Sequence, residues 1–155
     1  MLMGAAAGFI STLPMTIFMQ TAWMQMPRRE MHPLPPRQIT RKLLRRSGVQ
    51  GRINDRSETA LTLLLHFLFG AAAGAFYGVL TEKFPGRDEV KGTLAGASLW
   101  TGSYLGWIPA LRILPPATQH PWRMNLLMLV AHFIWGFSWG VLTRMFSSRK
   151  QYIEL

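Results

Sequence analysis

Long uncharged, mostly apolar stretches alternate with charged segments along this chain of 155 residues. The apolar stretches cover roughly residues 2–24, 59–80, 92–114 and 124–145. A helix of about 20 residues, rising about 1.5 Å per residue, is long enough to cross a hydrocarbon core of about 30 Å. The pattern therefore predicts an all-α membrane protein, with four transmembrane helices in one domain of residues 1–155.

Two of the predicted spans contain an internal proline, Pro14 in the first and Pro109 in the third. Membrane helices tolerate proline where neighbouring groups satisfy the carbonyl that loses its hydrogen bond. We therefore expect a kink within the span at each proline.

The connection of residues 25–58 is the only long one, and it is rich in proline and basic residues. After Pro36, the side chains of Ile39, Leu43 and Leu44 can share one face of a short helix that ends at Ser47. Basic residues occupy the rest of this helix: Arg37, Arg41, Lys42, Arg45 and Arg46. This pattern is typical of a helix lying on anionic lipid headgroups, and a solvated basic loop is the alternative.

Positive charge dominates the connections, since the chain has 17 Lys and Arg against 7 Asp and Glu, for a net charge of +10. Most of the basic residues lie in the first and third connections. The positive-inside rule therefore predicts that these two connections are cytoplasmic, with both termini on the other side. Nucleic-acid binding is not expected, because the sequence between the charged segments is too apolar to form a soluble surface.

Small residues four positions apart occur in every predicted span. In lipid there is little hydrophobic force between helices, so close backbone approach over small residues is a main source of helix association. The pattern predicts a tight bundle with ten glycines at its helix contacts: Gly4, Gly8, Gly70, Gly74, Gly92, Gly96, Gly102, Gly106, Gly136 and Gly140.

The second and fourth spans share a motif, H-F-x-aromatic-G-x-x-x-G, at residues 66–74 and 132–140. The first and third connections each also contain a Leu-Pro-Pro segment and a His-Pro pair, although in reversed order. These similarities suggest two repeated helical hairpins in parallel orientation, related by an axis along the membrane normal.

His66 and His132 begin the two copies of this motif and are expected at similar depth, facing the glycine-rich side of their helices. An ionisable residue inside a membrane suggests a functional site. Three interpretations stay open, in this order: structural hydrogen bonding, a proton-responsive pair, and axial ligation of a b-type haem.

Several functional classes lack their usual signatures. All seven acidic residues lie outside the span interiors, which argues against a transporter coupled to protons or sodium. There is no cysteine, no H-E-x-x-H or G-x-S-x-G motif and no phosphate-binding loop. His32 and His120 lie in proline-containing loops and make a weak metal pair without further ligands. We expect no metal site, no cofactor and no enzymatic activity.

The segment of residues 102–109 (GSYLGWIP), the Leu-Pro-Pro that follows and the two His-Phe-x-aromatic-Gly segments resemble the YagU-like group of small bacterial inner-membrane proteins. The similarity covers the second to fourth spans, with Pro35-Pro36-Arg37 as a further match. The resemblance implies a multi-pass protein of the bacterial inner membrane without an established activity. It supplies no catalytic residues.

These observations together predict a structural, accessory or permeation component of the membrane. Its expected partners are the lipid bilayer, anionic headgroups, and a second copy of the chain or another membrane protein. The alternative is a membrane redox protein that holds haem b between His66 and His132.

Overall fold

The computed structural model describes the backbone of residues 1–153 and the side chains of residues 1–147, and this part contains helices and no strands. The predicted all-α class is confirmed. The α-helices are α1 (Leu2–Met24), α2 (Pro35–Arg46), α3 (Asp55–Thr81), α4 (Asp88–Thr101), α5 (Ile108–Ala110) and α6 (Trp122–Ile153). A π-helical stretch at Gly102–Trp107, here called the π segment, joins α4 to α5. Short 3₁₀ turns occur at Arg28–Glu30, Gln50–Arg52 and Ala117–Gln119. Arg149 and Lys150, two of the 17 basic residues counted for the positive-inside rule, lie outside the described side chains.

Three helices, α1, α3 and α6, are long and apolar enough to cross a membrane. The predicted third span at residues 92–114 is not one continuous α-helix. It consists of α4, the π segment and the single turn of α5, with non-helical backbone angles at Gly106 (φ −109°, ψ −106°). Proline lacks an N–H and its ring crowds the carbonyl four residues earlier, so Pro109 disturbs the helix at Leu105. The expected kink is present in this segment, at Gly106, three residues before Pro109, whereas α1 continues as one α-helix through Pro14.

The predicted short helix in the first connection is present as α2. Pro35 and Pro36 form its first turn, where a missing N–H costs nothing, and Gly48 follows its end with a positive φ of 71°. Two of the three residues of its apolar face are covered by the protein, while Leu43 remains exposed. Leu44 is buried, and Ile39 packs against the cluster of Ile108, Ile113 and Leu114. The helix is docked on the bundle because this face finds apolar partners on the protein itself.

Glycines bring α1 and α3 into antiparallel contact. Gly4 lies against Gly74, and Gly8 lies against Gly70 and Gly74. A Cβ added at Gly8 would overlap the carbonyl oxygen of Gly70, so no larger residue fits this crossing without moving a helix. The two backbones touch directly, which allows extensive van der Waals contact along the pair.

The same arrangement joins α4 to α6. Gly92 lies against Gly136 and Gly140, and Gly96 lies against the backbone of His132 and Gly136. A Cβ at Gly92 or Gly136 would overlap the carbonyl oxygen of the other. This pair is also antiparallel. The helices α3 and α6 run in the same direction because each of them is antiparallel to α1.

The centre of the bundle is the contact between α1 and α6, where two tryptophans replace glycine as the contact residues. The indole N–H groups of Trp135 and Trp139 donate to the carbonyl oxygens of Gly8 and Gly4, each over 3.1 Å. Both side chains are almost fully buried, and their rings stack with centroids 6.4 Å apart. In this way α6 binds the backbone that the small residues of α1 leave accessible.

Gly102 and Gly106 are an exception among the ten glycines predicted to lie at helix contacts. A Cβ added at either meets nothing within 4 Å, so the expectation that they are helix-packing positions is not met within this chain. Both belong to the π segment, where the wider helix and the disturbance at Pro109 turn the backbone away from a neighbour. Small size at these positions does not produce a helix crossing.

Candidate functional site

A cavity of about 500 Å³ lies inside the bundle, between α1, α3, the π segment and α6, with α2 across one end. Most of its wall is apolar, contributed by methionine, leucine, isoleucine and aromatic side chains. No Asp, Glu, Lys or Arg lines it. The polar lining residues are Thr12, Thr40, Thr62, His66, Ser103, Tyr104 and His132.

The threonines of the cavity are already satisfied by their own helices. The hydroxyl groups of Thr12, Thr40 and Thr62 donate to the carbonyl oxygens four residues earlier, over 2.8, 3.0 and 2.8 Å. Ser103 accepts the indole N–H of Trp107 over 3.2 Å. Each of these hydroxyl groups therefore already has one hydrogen-bond partner within the protein.

His132 is buried and held in one orientation. Its Nδ1 lies 2.7 Å from the carbonyl oxygen of Met128, and the ring edge packs at 89° to the ring of Tyr104. A carbonyl oxygen can only accept, so Nδ1 carries the proton of this hydrogen bond. In the neutral imidazole Nε2 is then an acceptor.

His66 lines the same cavity from α3, but its ring is less well satisfied. Its Nε2 is buried and has no hydrogen-bond partner among the described residues. Leaving a buried polar atom without a partner costs about 1–3 kcal/mol, and a molecule that bonded this nitrogen would recover that free energy. The structure therefore brings the two predicted histidines to one cavity and leaves a nitrogen of one of them unsatisfied.

The cavity opens sideways between α3 and the π segment. Phe69 and Trp107 both line it and are also about two-fifths exposed on the outer surface, with ring centroids 6.0 Å apart. The helices α3 and α4 make few contacts, and a hydrogen bond of 2.8 Å between the hydroxyl groups of Tyr77 and Ser98 joins them towards one end.

The five basic residues expected at lipid headgroups have different environments. Arg37 and Arg41 each donate from Nε to Oε1 of the buried Glu58, over 2.6 and 2.8 Å. Arg46 donates to the carbonyl oxygens of Leu111 and Arg112, over 2.9 and 3.1 Å. These three side chains hold α2 to α3 and to the third connection.

The other two, Lys42 and Arg45, line a separate pocket together with His32 and His120. The two loop histidines are thus brought to one place, as a metal pair would require. No group of three or more His, Asp or Glu side chains that could hold a metal occurs in the part of the chain that the structure describes.

The structure also reveals contacts that sequence reasoning missed. The pairing of Glu58 with two arginines of α2 carries no local signal in the sequence, because the partners are 17 and 21 residues away. The bonds from Trp135 and Trp139 to α1 had a partial signal, because these residues are four apart and share the glycine face of α6.

A comparison with protein families gives a match over residues 1–154 to a family of unknown function, DUF6789. The chain belongs to the DUF6789 family. This DUF6789 protein is also similar to inner membrane protein YagU of Escherichia coli (strain K12), with 27% identity over 84 residues. The aligned segment covers 54% of the chain and 41% of YagU, so it spans less than half of that relative. No solved structure matches the chain.

The predicted resemblance is confirmed by these matches. The predicted location, a multi-pass protein of the bacterial inner membrane, is confirmed by the same relative together with the three apolar helices. Neither match describes a biochemical activity.

Proposed function

We propose that this DUF6789 protein crosses the membrane four times, with α4, the π segment and α5 forming a broken third crossing. The helical path from Asp88 to Ala110 supports this, because it runs antiparallel to α6 along the glycine contact. The first and third connections also meet at one end of the bundle, where Arg123 pairs with Glu30 over 3.0 Å. Broken helices are tolerated in membranes where the irregular backbone lines a cavity, as the π segment does here.

The four crossings form two similar hairpins in this proposal, α1 with α3 and α4 with α6. In each, two glycines four residues apart on the first helix cross two on the second, in antiparallel register. The pairs are Gly4 and Gly8 with Gly70 and Gly74, and Gly92 and Gly96 with Gly136 and Gly140. In both hairpins the shared H-F-x-aromatic-G-x-x-x-G motif lies on the second helix and includes its two contact glycines.

The function that the geometry supports best is the binding of a lipid-soluble molecule within the bundle. The observation that carries this proposal is the unpartnered Nε2 of His66 in an apolar cavity of about 500 Å³. A ligand that fits has an apolar body and one hydroxyl or carbonyl group to bond an imidazole. It is uncharged, because the cavity wall has no charge to compensate one. The side opening admits such a molecule directly from the membrane.

The role we propose is an accessory or carrier role without catalysis. Threonine, serine and tyrosine hydroxyl groups line the cavity, and none of them forms a hydrogen bond with either histidine. A nucleophile activated by a base would need that contact. The site provides what ligand binding needs, a shaped apolar wall with few polar groups.

The test is to purify the protein in mild detergent and identify co-purified small molecules by mass spectrometry. Leu99→Trp fills the cavity, whereas Leu94→Trp adds the same side chain to the exposed face of the same helix. We expect one class of uncharged lipid-soluble molecule at about one per chain in the wild type and in the control, and its loss in Leu99→Trp. Equal retention by both variants, or no enrichment over bulk lipid, would contradict the proposal.

A second candidate is the b-type haem site between His66 and His132. One observation favours it: the Nδ1 of His132 donates to a backbone carbonyl, which is how proteins orient an imidazole that binds metal through its other nitrogen. One counts against it, because no cation lines the cavity to pair with the two haem propionates. The bound group would supply one-electron redox chemistry. A visible spectrum of protein from haem-replete cells decides this candidate. A sharp band in the reduced state supports it, and colourless protein eliminates it.

A further inference from the structure

A second pocket, of about 390 Å³, lies where the first connection meets the third. One wall is the polar face of α2, and the other is the loop between α5 and α6. Each wall also contributes one of the two His-Pro pairs, His32-Pro33 and His120-Pro121. The pocket is therefore built by elements that are far apart in sequence and are held together by the contacts of Arg46 with the third connection.

The charge of this pocket is positive and uncompensated. Arg41, Lys42 and Arg45 line it, and no carboxylate does. Arg41 is paired with Glu58, but Lys42 and Arg45 take part in no hydrogen bond or ion pair among the residues that the structure describes. Two cations beside a concave surface without a counter-ion favour the binding of an anion.

Tryptophans mark the depth of the pocket in the membrane. Trp122, which is exposed, lies between two lining residues, Pro121 and Met124, and the guanidinium group of Arg123 lies 5.2 Å from its ring. The indole of Trp23, at the end of α1, donates to the carbonyl oxygen of His32 over 2.7 Å. Tryptophan is enriched at the level of lipid headgroups, so the pocket lies where lipid phosphates are.

We propose that this pocket binds the phosphate of an anionic membrane lipid, with Lys42 and Arg45 as its ligands. Basic pockets at this level of a membrane protein suit such headgroups, and two cations match a phosphate diester with a net negative charge. The proposal is independent of the histidine cavity. It also changes the role expected of α2: two side chains in a defined pocket bind the headgroup, while the other three basic residues hold the helix in place.

The experiment is native mass spectrometry of the full chain in detergent, titrated with phosphatidylglycerol and, as a zwitterionic control, phosphatidylcholine. A cation near a membrane surface contributes about 1 kcal/mol, so each removed charge should weaken phosphatidylglycerol binding about fivefold. Lys42→Ala with Arg45→Ala should therefore lose most of the preference for phosphatidylglycerol. The matched control, Arg52→Ala with Arg56→Ala, removes two exposed charges from the same connection and should keep it.

Melting temperatures should be alike for both double variants, because none of the four side chains forms a hydrogen bond or ion pair among the residues that the structure describes. If the alanine variant does not fold, Lys42→Gln with Arg45→Gln removes the same charge with less change in size. Equal loss of phosphatidylglycerol in both double variants would overturn the proposal, since it would indicate only diffuse charge. Binding of inorganic phosphate as tightly as phosphatidylglycerol, at equal concentrations, would overturn the assignment to a lipid and indicate a free phosphate compound instead.

Discussion

The helix pairs α1/α3 and α4/α6 use the same glycine contact but differ in what surrounds it. His66 and His132 occupy the same place in the motif, yet His132 is buried and bonded to Met128, while His66 is half-buried and its Nε2 has no partner. The difference follows from position in the bundle. The helix α6 packs against both α4 and α1, whereas α3 packs mainly against α1 and leaves one side open.

Further along the motif the same contrast appears. Trp135 and Trp139 of α6 correspond to Phe69 and Ala73 of α3, and only the tryptophans have an N–H to donate. They bind the carbonyl oxygens of α1, which closes the centre of the molecule on the α6 side. Phe69 instead lies at the opening of the cavity, opposite Trp107. A shared motif therefore sets the helix contact, while residues on the adjoining face determine whether the helix is central or peripheral.

The largest effect is expected from filling the glycine contact, and it should occur in both pairs. Gly136→Leu would overlap the backbone of Gly92, and Gly70→Leu would overlap the hydroxyl group of Thr12, at a cost of about 1–3 kcal/mol each, with the larger cost at Gly136 because backbone yields less than a side chain. Thermal unfolding in detergent measures this. Gly102→Leu is the matched control in open space and should change the melting temperature little. Unchanged melting for Gly70→Leu or Gly136→Leu would break the proposed equivalence.

A smaller effect is expected at the tryptophans, and it should be confined to one pair. Trp135→Phe and Trp139→Phe each remove an N–H from a buried carbonyl and some ring area, at a cost of about 1–2 kcal/mol. Phe69→Leu, at the equivalent place in α3, should cost less because its side chain is partly exposed. The same unfolding measurement compares the three. An equal cost at all positions would mean that α3 is as central as α6.

The smallest effects are expected at the histidines, and their signs should differ. His132→Leu removes a hydrogen bond and should destabilise by about 1 kcal/mol. His66→Leu removes an unsatisfied buried atom and should be neutral or slightly stabilising when no ligand is bound.

Retention of a co-purified ligand should show the reverse order, with the larger loss in His66→Leu. His66→Gln, which keeps hydrogen-bonding capacity, should retain a ligand held by a hydrogen bond but not a haem. If His66→Leu destabilises as much as His132→Leu without any ligand, then His66 has a structural partner and the proposed site is wrong.

Much of the fold could be predicted because apolar length is a strong signal. The bounds predicted for the first span, residues 2–24, agree with α1. The helix α3 begins at Asp55, four residues before the predicted 59, because the side chain of Asn54 caps it by accepting the N–H of Ser57 over 2.8 Å. A polar first turn outside the hydrocarbon core is helical for this reason, and hydropathy does not detect it.

The break in the helical path from Asp88 to Ala110 could not be predicted from apolar length. Proline in a membrane helix gives either a kink or a break, depending on whether neighbours satisfy the freed backbone groups. Here Gly106 provides backbone freedom three residues before Pro109, and no helix packs against that face. The sequence contains both residues, but the absence of a packed neighbour is a property of the whole bundle.

The candidate site was only partly predictable. Helical periodicity placed His66 and His132 on the glycine-rich faces of two parallel helices, which was enough to suggest that they lie near each other. It could not show that one would be satisfied and the other not. The contacts of Arg37 and Arg41 with Glu58 span 21 and 17 residues, so they depend on how α2 folds back.

The central claim is that the chain crosses the membrane four times in spite of the break, and accessibility of introduced cysteines tests it most directly. The chain has no cysteine of its own, so single substitutions can be labelled with a membrane-impermeant maleimide in intact cells. Arg52→Cys, Lys83→Cys and Thr118→Cys probe the three connections, at positions that are exposed on the protein. The account predicts labelling of Lys83→Cys from outside, with Arg52→Cys and Thr118→Cys labelled only after the cells are opened. Labelling of Lys83→Cys and Thr118→Cys from the same side would contradict it, because the segment between them would then not cross.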